Sequence, residues 1–161
     1  MHNTHAAFQA SVLEVMHAGE ILTLQRAAYV TEAIAHADLD LPPLTQTLED
    51  LRDELDDADV VGLGVWEYGR LLGAVRVRRV RDAVELGRLV VVPDRQGQGI
   101  GSFLLHEAEE VHSTVDEIRL FTGEHSLANI RLYERNGYTE IARTPAGSYS
   151  LVHLMKHRSP R

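Results

Sequence analysis

The chain has 161 residues, of which 44% are hydrophobic, and this size predicts one globular domain over residues 1–161. It contains no cysteine, which excludes disulfides, thiolate metal sites and cysteine nucleophiles. The net charge of -8 argues against binding to nucleic-acid phosphates and favours a cationic small molecule as partner.

Neither a membrane segment nor a metal site is indicated. No stretch approaches the ~20 apolar residues that cross a bilayer, and the start, MHNTHAAFQ, lacks the basic head and apolar core of a signal peptide. The nine histidines are scattered without metal-ligand spacing. We therefore expect a cytoplasmic protein with no bound metal and no membrane partner.

The N-terminal third predicts two helices. Apolar residues at helical spacing predict the first over residues 19–37, whereas the preceding FQASVLEVM fits a strand and a helical extension equally well. Two successive prolines predict a loop over DLDLPPL and exclude helical geometry at Leu41. Thr47, with Asp50 three positions on, predicts the cap of a short helix that ends near Asp57. Its acidic side chains are interpreted as a solvated face.

The middle of the chain predicts three meandering strands. The segment VVGLGVWEYGRLLGAVRVRRV predicts an antiparallel hairpin with a tight turn at Gly69-Arg70. Its VRVR alternation, residues 75–78, predicts buried valines and solvated arginines. A third strand over residues 83–92 ends at Pro93.

The C-terminal half alternates helices and strands. The pattern predicts a helix over residues 99–112, a strand over 117–122 and a helix over 126–136 that stops at Gly137. Two strands around residues 145–147 follow. This order predicts an α/β (α+β) fold, with a mostly antiparallel mixed sheet and helices on both faces.

The heptapeptide RQGQGIG, residues 95–101, joins an apolar strand to an amphipathic helix. Such a junction presents backbone amides to an anion at the positive end of the helix dipole. A Walker loop is excluded because it needs GK[ST], and the only lysine is Lys156. The dinucleotide fingerprint fits poorly, because Ser102 takes the third glycine position and the loop follows three meandering strands.

Two motifs together resemble the GNAT N-acetyltransferase superfamily. The pattern Gln96-x-x-Gly99-x-Gly101, preceded by Val-x-Pro, resembles its pyrophosphate-binding segment. One strand downstream, NIRLYERNGY resembles the segment in which a helical tyrosine approaches the cofactor sulfur. The resemblance covers residues 60–156. It implies a GNAT-like fold that binds acetyl-CoA or coenzyme A and acetylates an amine by direct attack in a ternary complex.

The resemblance also implies the residues that bind the cofactor. Glycines would let the amides of residues 96–102 approach the pyrophosphate closely. The strand before the loop would offer its backbone to the thioester oxygen and the pantetheine arm, and Arg95 is a further possible contact. Where the family often has asparagine, this chain has Ser126. The predicted cofactor-binding residues are Val91, Val92, Gln96, Gly97, Gln98, Gly99, Gly101, Ser102, Ser126 and Asn129.

Two catalytic roles follow from the same resemblance. Tyr133 is predicted to donate to the departing thiolate, and because tyrosine is ordinarily a weaker acid than a thiol, hydrogen-bond donation matters as much as proton transfer. Glu85 is the first choice for the base that takes the proton of the amine. Glu67 and Glu124 with His125 are the alternatives, and a water relay is a further route.

The acceptor side of the site is less defined. The resemblance implies a pocket built from the first helices, residues 41–47 and the TPAGSY turn, with Leu41 and Leu44 as an apolar wall. A cationic acceptor would be received by Glu67, Asp82, Glu85 or Glu124. The predicted acceptor is the amine of a small molecule, an amino acid or a peptide.

Several other functions are compatible with the sequence. The main alternative is a catalytically inactive coenzyme A-binding sensor or structural protein with the same fold. A second alternative is an oxidoreductase that binds a dinucleotide. A third is an enzyme with the same fold that transfers a longer acyl chain or acylates a hydroxyl group. Edge strands in the C-terminal part would allow a homodimer.

Overall fold

The computed structural model of the protein describes residues 8–158. Residues 1–7, which begin the MHNTHAAFQ segment, lie outside the described residues. The strands are β1 (Ala10–Leu13), β2 (Val60–Glu67), β3 (Arg70–Val80), β4 (Ala83–Val91), β5 (Glu117–Gly123), β6 (Thr139–Ala146) and β7 (Tyr149–His157). The α-helices are α1 (Ala18–His36), α2 (Pro42–Thr45), α3 (Leu48–Asp56), α4 (Ile100–Glu110) and α5 (Leu127–Arg135).

The seven strands within residues 8–158 form one sheet in the order β1-β2-β3-β4-β5-β7-β6. Neighbouring strands are antiparallel except β4 and β5, which are parallel. The predicted mixed, mostly antiparallel sheet is therefore confirmed. β6 lies at a free edge, where the predicted homodimer contact would form, and that contact stays a prediction. No helix among residues 8–158 is long and apolar enough to cross a membrane.

The N-terminal elements confirm most of the local predictions. The ambiguous segment before α1 forms β1, which pairs with β2. Thr47 caps α3 by accepting a hydrogen bond from the Asp50 amide. The predicted loop over both prolines is wrong in part, because Pro42 and Pro43 begin α2. The first turn of a helix tolerates proline, since its amides have no partner within the helix.

The β2–β3 hairpin has its turn one residue earlier than predicted. Tyr68 and Gly69, rather than Gly69 and Arg70, form the two-residue connection. Both have positive φ, as a type I′ turn requires. Such a turn matches the right-handed twist of the two strands.

The predicted solvated face of β3 is wrong at Arg76, which is only 4% exposed. Its Nε donates to Glu54 Oε1 at 2.6 Å, and its Nη2 donates to Gln25 Oε1 at 2.9 Å. Those partners lie in α3 and α1, which cover this face of the sheet. Arg78 is half-exposed and pairs with Asp57 at 3.0 Å. Both faces of β3 are therefore covered at this point. The face that carries Arg76 buries a charge that is paired with Glu54.

The opposite face of the sheet packs against α4. Its core includes Val75, Val77, Leu104, Leu105, Ile118 and Leu154. A Cβ at Gly73 in β3 would lie 2.9 Å from side-chain carbons of both Ile100 and Leu104. The glycine therefore allows α4 to lie directly on the strand.

Lys156 ties β7 to α4. Its Nζ lies 2.8 Å from Oε2 of Glu109, a buried carboxylate. The Tyr138 hydroxyl donates to the same oxygen at 3.3 Å. The ammonium group is therefore held against a buried partner rather than left in solvent.

The sheet opens where β4 and β5 part. The two strands pair only over residues 83–85 and 117–119, so within the described chain the later part of β4 has no β5 partner. Against β3, β4 also has a bulge, at which Arg88 takes a positive φ of 53°. Two cavities lie beside this opening in the sheet.

Candidate active site

The glycine-rich segment lies at the N-terminus of α4. A 3-10 turn over Pro93–Arg95 follows β4, and α4 begins at Ile100. Gly97 and Gly99 have φ of 76° and 85°, a conformation that costs other residues about 1–2 kcal/mol. Apart from the adjacent residues, no heavy atom of the described chain lies within 4 Å of a Cβ built on either glycine. The loop thus offers open backbone at the positive end of a helix.

A cavity of about 490 Å³, here called the loop cavity, lies between this loop, α1 and α5. Its lining includes seven of the predicted cofactor-binding residues: Val91, Gln96, Gly97, Gly99, Gly101, Ser102 and Asn129. Arg131 and Arg135 of α5 also line it, and sequence analysis missed both. Their spacing of four residues places two positive charges on one helix face, which suits an anionic ligand.

Three of the predicted cofactor-binding residues do not line the loop cavity: Val92, Gln98 and Ser126. The Val92 amide donates to the Leu72 carbonyl at 2.8 Å, so it is already used by the sheet. Gln98 accepts from Arg95 at 2.8 Å, and Arg95 also pairs with Glu67 at 2.7 Å. Arg95 itself lines the cavity, but its charge is shared with that carboxylate.

A second cavity of about 310 Å³, here called the inner cavity, reaches between the separated strands. Its walls are mainly apolar and include Leu41, Val75, Leu86, Leu89, Leu105 and Leu120. Ala146 and Tyr149, at the ends of β6 and β7, also line it. Helix α2 and the β6–β7 turn therefore contribute as the resemblance implied, although Leu44 packs beside this wall without lining the cavity.

The two cavities meet beside Tyr133. Both are lined by Tyr29, Glu32, Leu89 and Asn129. Tyr133 lines the inner cavity and is 7% exposed. Burial, with smaller effects from nearby Tyr29 and Glu32, raises the pKa of its hydroxyl above the ordinary value. The hydroxyl therefore stays protonated over the neutral range and is available as a donor.

Sequence analysis missed Glu32. This α1 carboxylate accepts a hydrogen bond from the Ser126 hydroxyl and one from Asn129 Nδ2 at 3.4 Å. Burial raises the pKa of the carboxyl group, and nearby His36 opposes that shift. Two residues predicted to contact the cofactor are thus bound to an acid of α1.

His36 fixes the end of α1 beside the same cavity. Its Nδ1 lies 2.8 Å from the Glu32 carbonyl, and its Nε2 lies 3.0 Å from the His125 amide nitrogen. The amide can only donate, so these partners assign the proton to Nδ1 and leave Nε2 as the acceptor. A Cβ at Gly123 would lie 2.2 Å from Nε2, so glycine is needed for this contact.

The carboxylates chosen from the sequence lie elsewhere. Glu85 is exposed and sits opposite Arg78 and Arg119 in the sheet. It lines a groove of about 800 Å³ that adjoins the inner cavity, since both are lined by Leu86, Gly87, Arg88, Leu120 and Phe121. Glu124 accepts the Ser150 amide at 2.8 Å. Glu85, Glu67, Glu124 and Asp82 line neither of the two cavities around Tyr133. The role of Glu85 as the base stays a prediction.

Comparison with known families assigns the chain. A sequence model of the acetyltransferase (GNAT) family matches residues 23–138, which is more than half of the protein. The chain belongs to the GNAT family. The matched range includes the glycine-rich loop, Tyr133 and Glu32, and members of the family use acetyl-CoA.

Solved structures confirm the GNAT fold. The PaiA N-acetyltransferase from Thermoplasma acidophilum, in complex with coenzyme A, has a TM-score of 0.75 and 20% identity, covering 94% of this chain and 99% of that chain. The ribosomal-protein-S18-alanine N-acetyltransferase from Escherichia coli has a TM-score of 0.77 and 19% identity, covering 96% of each chain. At these identities the likeness establishes the fold alone.

A curated relative is longer than this chain. The UPF0157 protein YqkA of Bacillus subtilis (strain 168) is 26% identical over 148 residues, which cover 92% of this chain and 42% of the relative. The GNAT protein described here thus spans less than half the length of that relative.

Proposed function

We propose that this GNAT protein is an N-acetyltransferase that moves the acetyl group of acetyl-CoA to the amine of a small molecule, an amino acid or a peptide. The meeting of the loop cavity and the inner cavity beside Tyr133 carries the proposal. One cavity has the open backbone and positive charge that a pyrophosphate needs. The other has room for an acceptor.

The roles in binding follow from the position of each element. Backbone amides of residues 96–102 bind the pyrophosphate, and Arg131 and Arg135 add positive charge. The pantetheine arm lies along β4 beyond Glu85, where the strand has no β5 partner. An amide of this open strand donates to the thioester oxygen as that oxygen gains negative charge.

The transfer itself is a direct attack. The amine nitrogen bonds to the carbonyl carbon while both substrates are bound, and the carbon–sulfur bond then breaks. Tyr133 donates its hydroxyl proton, or a strong hydrogen bond, to the departing sulfur. The products are the acetylated amine and free coenzyme A.

A calorimetric titration with acetyl-CoA tests the proposal first, with NADH as the control ligand on the same protein. We expect binding of acetyl-CoA alone, followed by release of thiol when amines are supplied. No binding of acetyl-CoA would withdraw the function and leave the fold intact. Binding without thiol release over a broad amine panel would instead indicate a coenzyme A sensor.

Replacing Gly99 with alanine is expected to raise the dissociation constant of acetyl-CoA about fivefold. The added Cβ disfavours the φ of 85° that Gly99 adopts next to α4, at a cost of about 1–2 kcal/mol, so the loop amides shift. Gly69→Ala is the matched control, because Gly69 has a similar φ of 76° in the distant hairpin turn. Equal affinity in both variants would argue against pyrophosphate binding at this loop.

A further inference from the structure

Glu32 lies where the loop cavity and the inner cavity meet. Among the described residues that line either cavity, it is the only aspartate or glutamate, and it lines both of them. It therefore lies at the junction where an acceptor amine in the inner cavity would meet a thioester that enters from the loop cavity.

We propose that Glu32 binds the ammonium group of the acceptor and takes its proton, and that the acceptor is a monoamine with an apolar body. This inference rests on the acetyl transfer proposed above. In this proposal Glu32, which lies where the two cavities meet, takes the role of base that the sequence analysis gave to Glu85.

The hydrogen bonds of Glu32 leave room for a ligand. Ser126 donates to one carboxylate oxygen and Asn129 to the other. An ionised carboxylate has about four acceptor sites, so the group can still accept from an ammonium. The two existing donors fix its orientation without using its full capacity.

The groups around Glu32 allow its carboxylate to act as a base. Tyr29 and His36 face it from α1, Tyr133 from α5, and Arg88 lines the same cavity from β4. Both tyrosines have a raised pKa and are neutral, and His36 lowers the pKa of Glu32 by less than burial raises it. Burial also raises the pKa of Glu32, which brings a carboxylate closer to the strength that suits a base near neutral pH.

The proton balance of the step is simple. Glu32 takes one proton from the ammonium, and the neutral amine forms the carbon–nitrogen bond. When the carbon–sulfur bond breaks, Tyr133 supplies the proton of the thiol, and the second proton lost by the nitrogen restores Tyr133. Glu32 then releases its proton to solvent, so one proton is produced for each ammonium acetylated.

The walls of the inner cavity define the class of acceptor. Leucine and valine side chains from β3, β4, β5 and α4 surround the space beyond Glu32. Within the inner cavity itself, a second ammonium on the acceptor would meet no other carboxylate among the described lining residues; the carboxylates of Glu54, Glu85 and Glu117 line the adjoining groove. Because an unpaired charge is costly to remove from water, a monoamine such as phenethylamine fits better than a diamine such as putrescine.

The test compares pH profiles of kcat for the wild type, Glu32→Gln and the control Glu107→Gln, with phenethylamine as acceptor. Glu107 is an exposed carboxylate on α4 and lines neither cavity. In the wild type, kcat should fall as the pH drops through the raised pKa of Glu32, because the protonated acid cannot take a proton. Glu32→Gln should lose this acidic limb and about tenfold or more of kcat at neutral pH, while Glu107→Gln behaves as the wild type.

Three further results decide between the parts of the proposal. A fall in kcat that keeps the acidic limb would overturn the role as base, because Glu32 would then act only by holding Ser126 and Asn129. Equal kcat/KM for putrescine and phenethylamine would overturn the assigned acceptor class. A wild type that binds acetyl-CoA but acetylates no amine would overturn the proposed function itself.

Binding of the acceptor gives a readout that needs no turnover. Calorimetry with phenethylamine, in the presence of coenzyme A, should give an affinity about tenfold lower for Glu32→Gln than for Glu107→Gln, in the range for a charged hydrogen bond. Equal affinities would contradict ammonium binding by Glu32. Thermal unfolding of both variants checks that the fold is retained.

Discussion

Replacing Tyr133 with phenylalanine is expected to lower kcat by about 10- to 100-fold while the dissociation constant of acetyl-CoA stays unchanged. Tyr133 lines the inner cavity next to the junction with the loop cavity. Its raised pKa keeps it protonated until the thiolate needs a donor. Phenylalanine keeps the ring, which packs edge-on against Tyr138 at 6.0 Å between centroids, so the fold should not change.

Thiol release under saturating acetyl-CoA measures this effect. Tyr68→Phe is the matched control, because Tyr68 is 101% exposed in the hairpin turn. An unchanged kcat in Tyr133→Phe would remove this residue from the mechanism. Should Tyr29→Phe lose the activity instead, the donor to sulfur would be Tyr29, which lines both cavities.

The second large effect concerns stability. Arg76→Met is expected to lower the free energy of unfolding by about 3 kcal/mol, because it removes a buried charged donor from the Glu54 carboxylate and from two glutamine oxygens. Those oxygens belong to Gln25 and Gln46, at 2.9 and 3.3 Å from Arg76 Nη2. Methionine fills much of the space that the arginine side chain leaves. The loss of stability therefore measures the lost polar contacts more than the cost of a cavity.

Chemical denaturation of Arg76→Met beside Arg78→Met measures this difference. Arg78 lies on the same strand, but its side chain is 42% exposed and it pairs with a half-exposed aspartate. Such a pair contributes about 0–1 kcal/mol. Equal losses in the two variants would mean that the network around Arg76 adds nothing beyond an ordinary surface ion pair.

Local patterns were sufficient for most of the elements and for the glycine-rich loop. The cap at Thr47, the strand that leads into glycines and the stop of α5 before Gly137 all depend on residues close together in the chain. These signals act within one or two turns, so they can be read without the tertiary structure.

The proposed base, Glu32, was not predictable in the same way. Glu32 bonds to Ser126, which lies 94 positions further along the chain, and nothing in TEAIAHAD distinguishes this glutamate from a solvated one. Glu85 looked suitable because its strand leads to the loop, yet it lies where β4 is still paired with β5. Where the strands part is set by long-range packing. The predicted exposure of Arg76 was wrong for the same reason, because the helices that cover it are distant in sequence.

The ion pair between Lys156 and Glu109 also affects the chemical background of an assay. Thioesters acylate free amines slowly without any enzyme, and the reactive form of lysine is the uncharged one. This chain carries a single lysine, and its nitrogen lies 2.8 Å from a buried carboxylate, with which it forms an ion pair. Acetyl groups that appear on side-chain amines in a reaction mixture therefore report the acceptor and not the catalyst, so intact-mass spectra can follow peptide or protein acceptors directly.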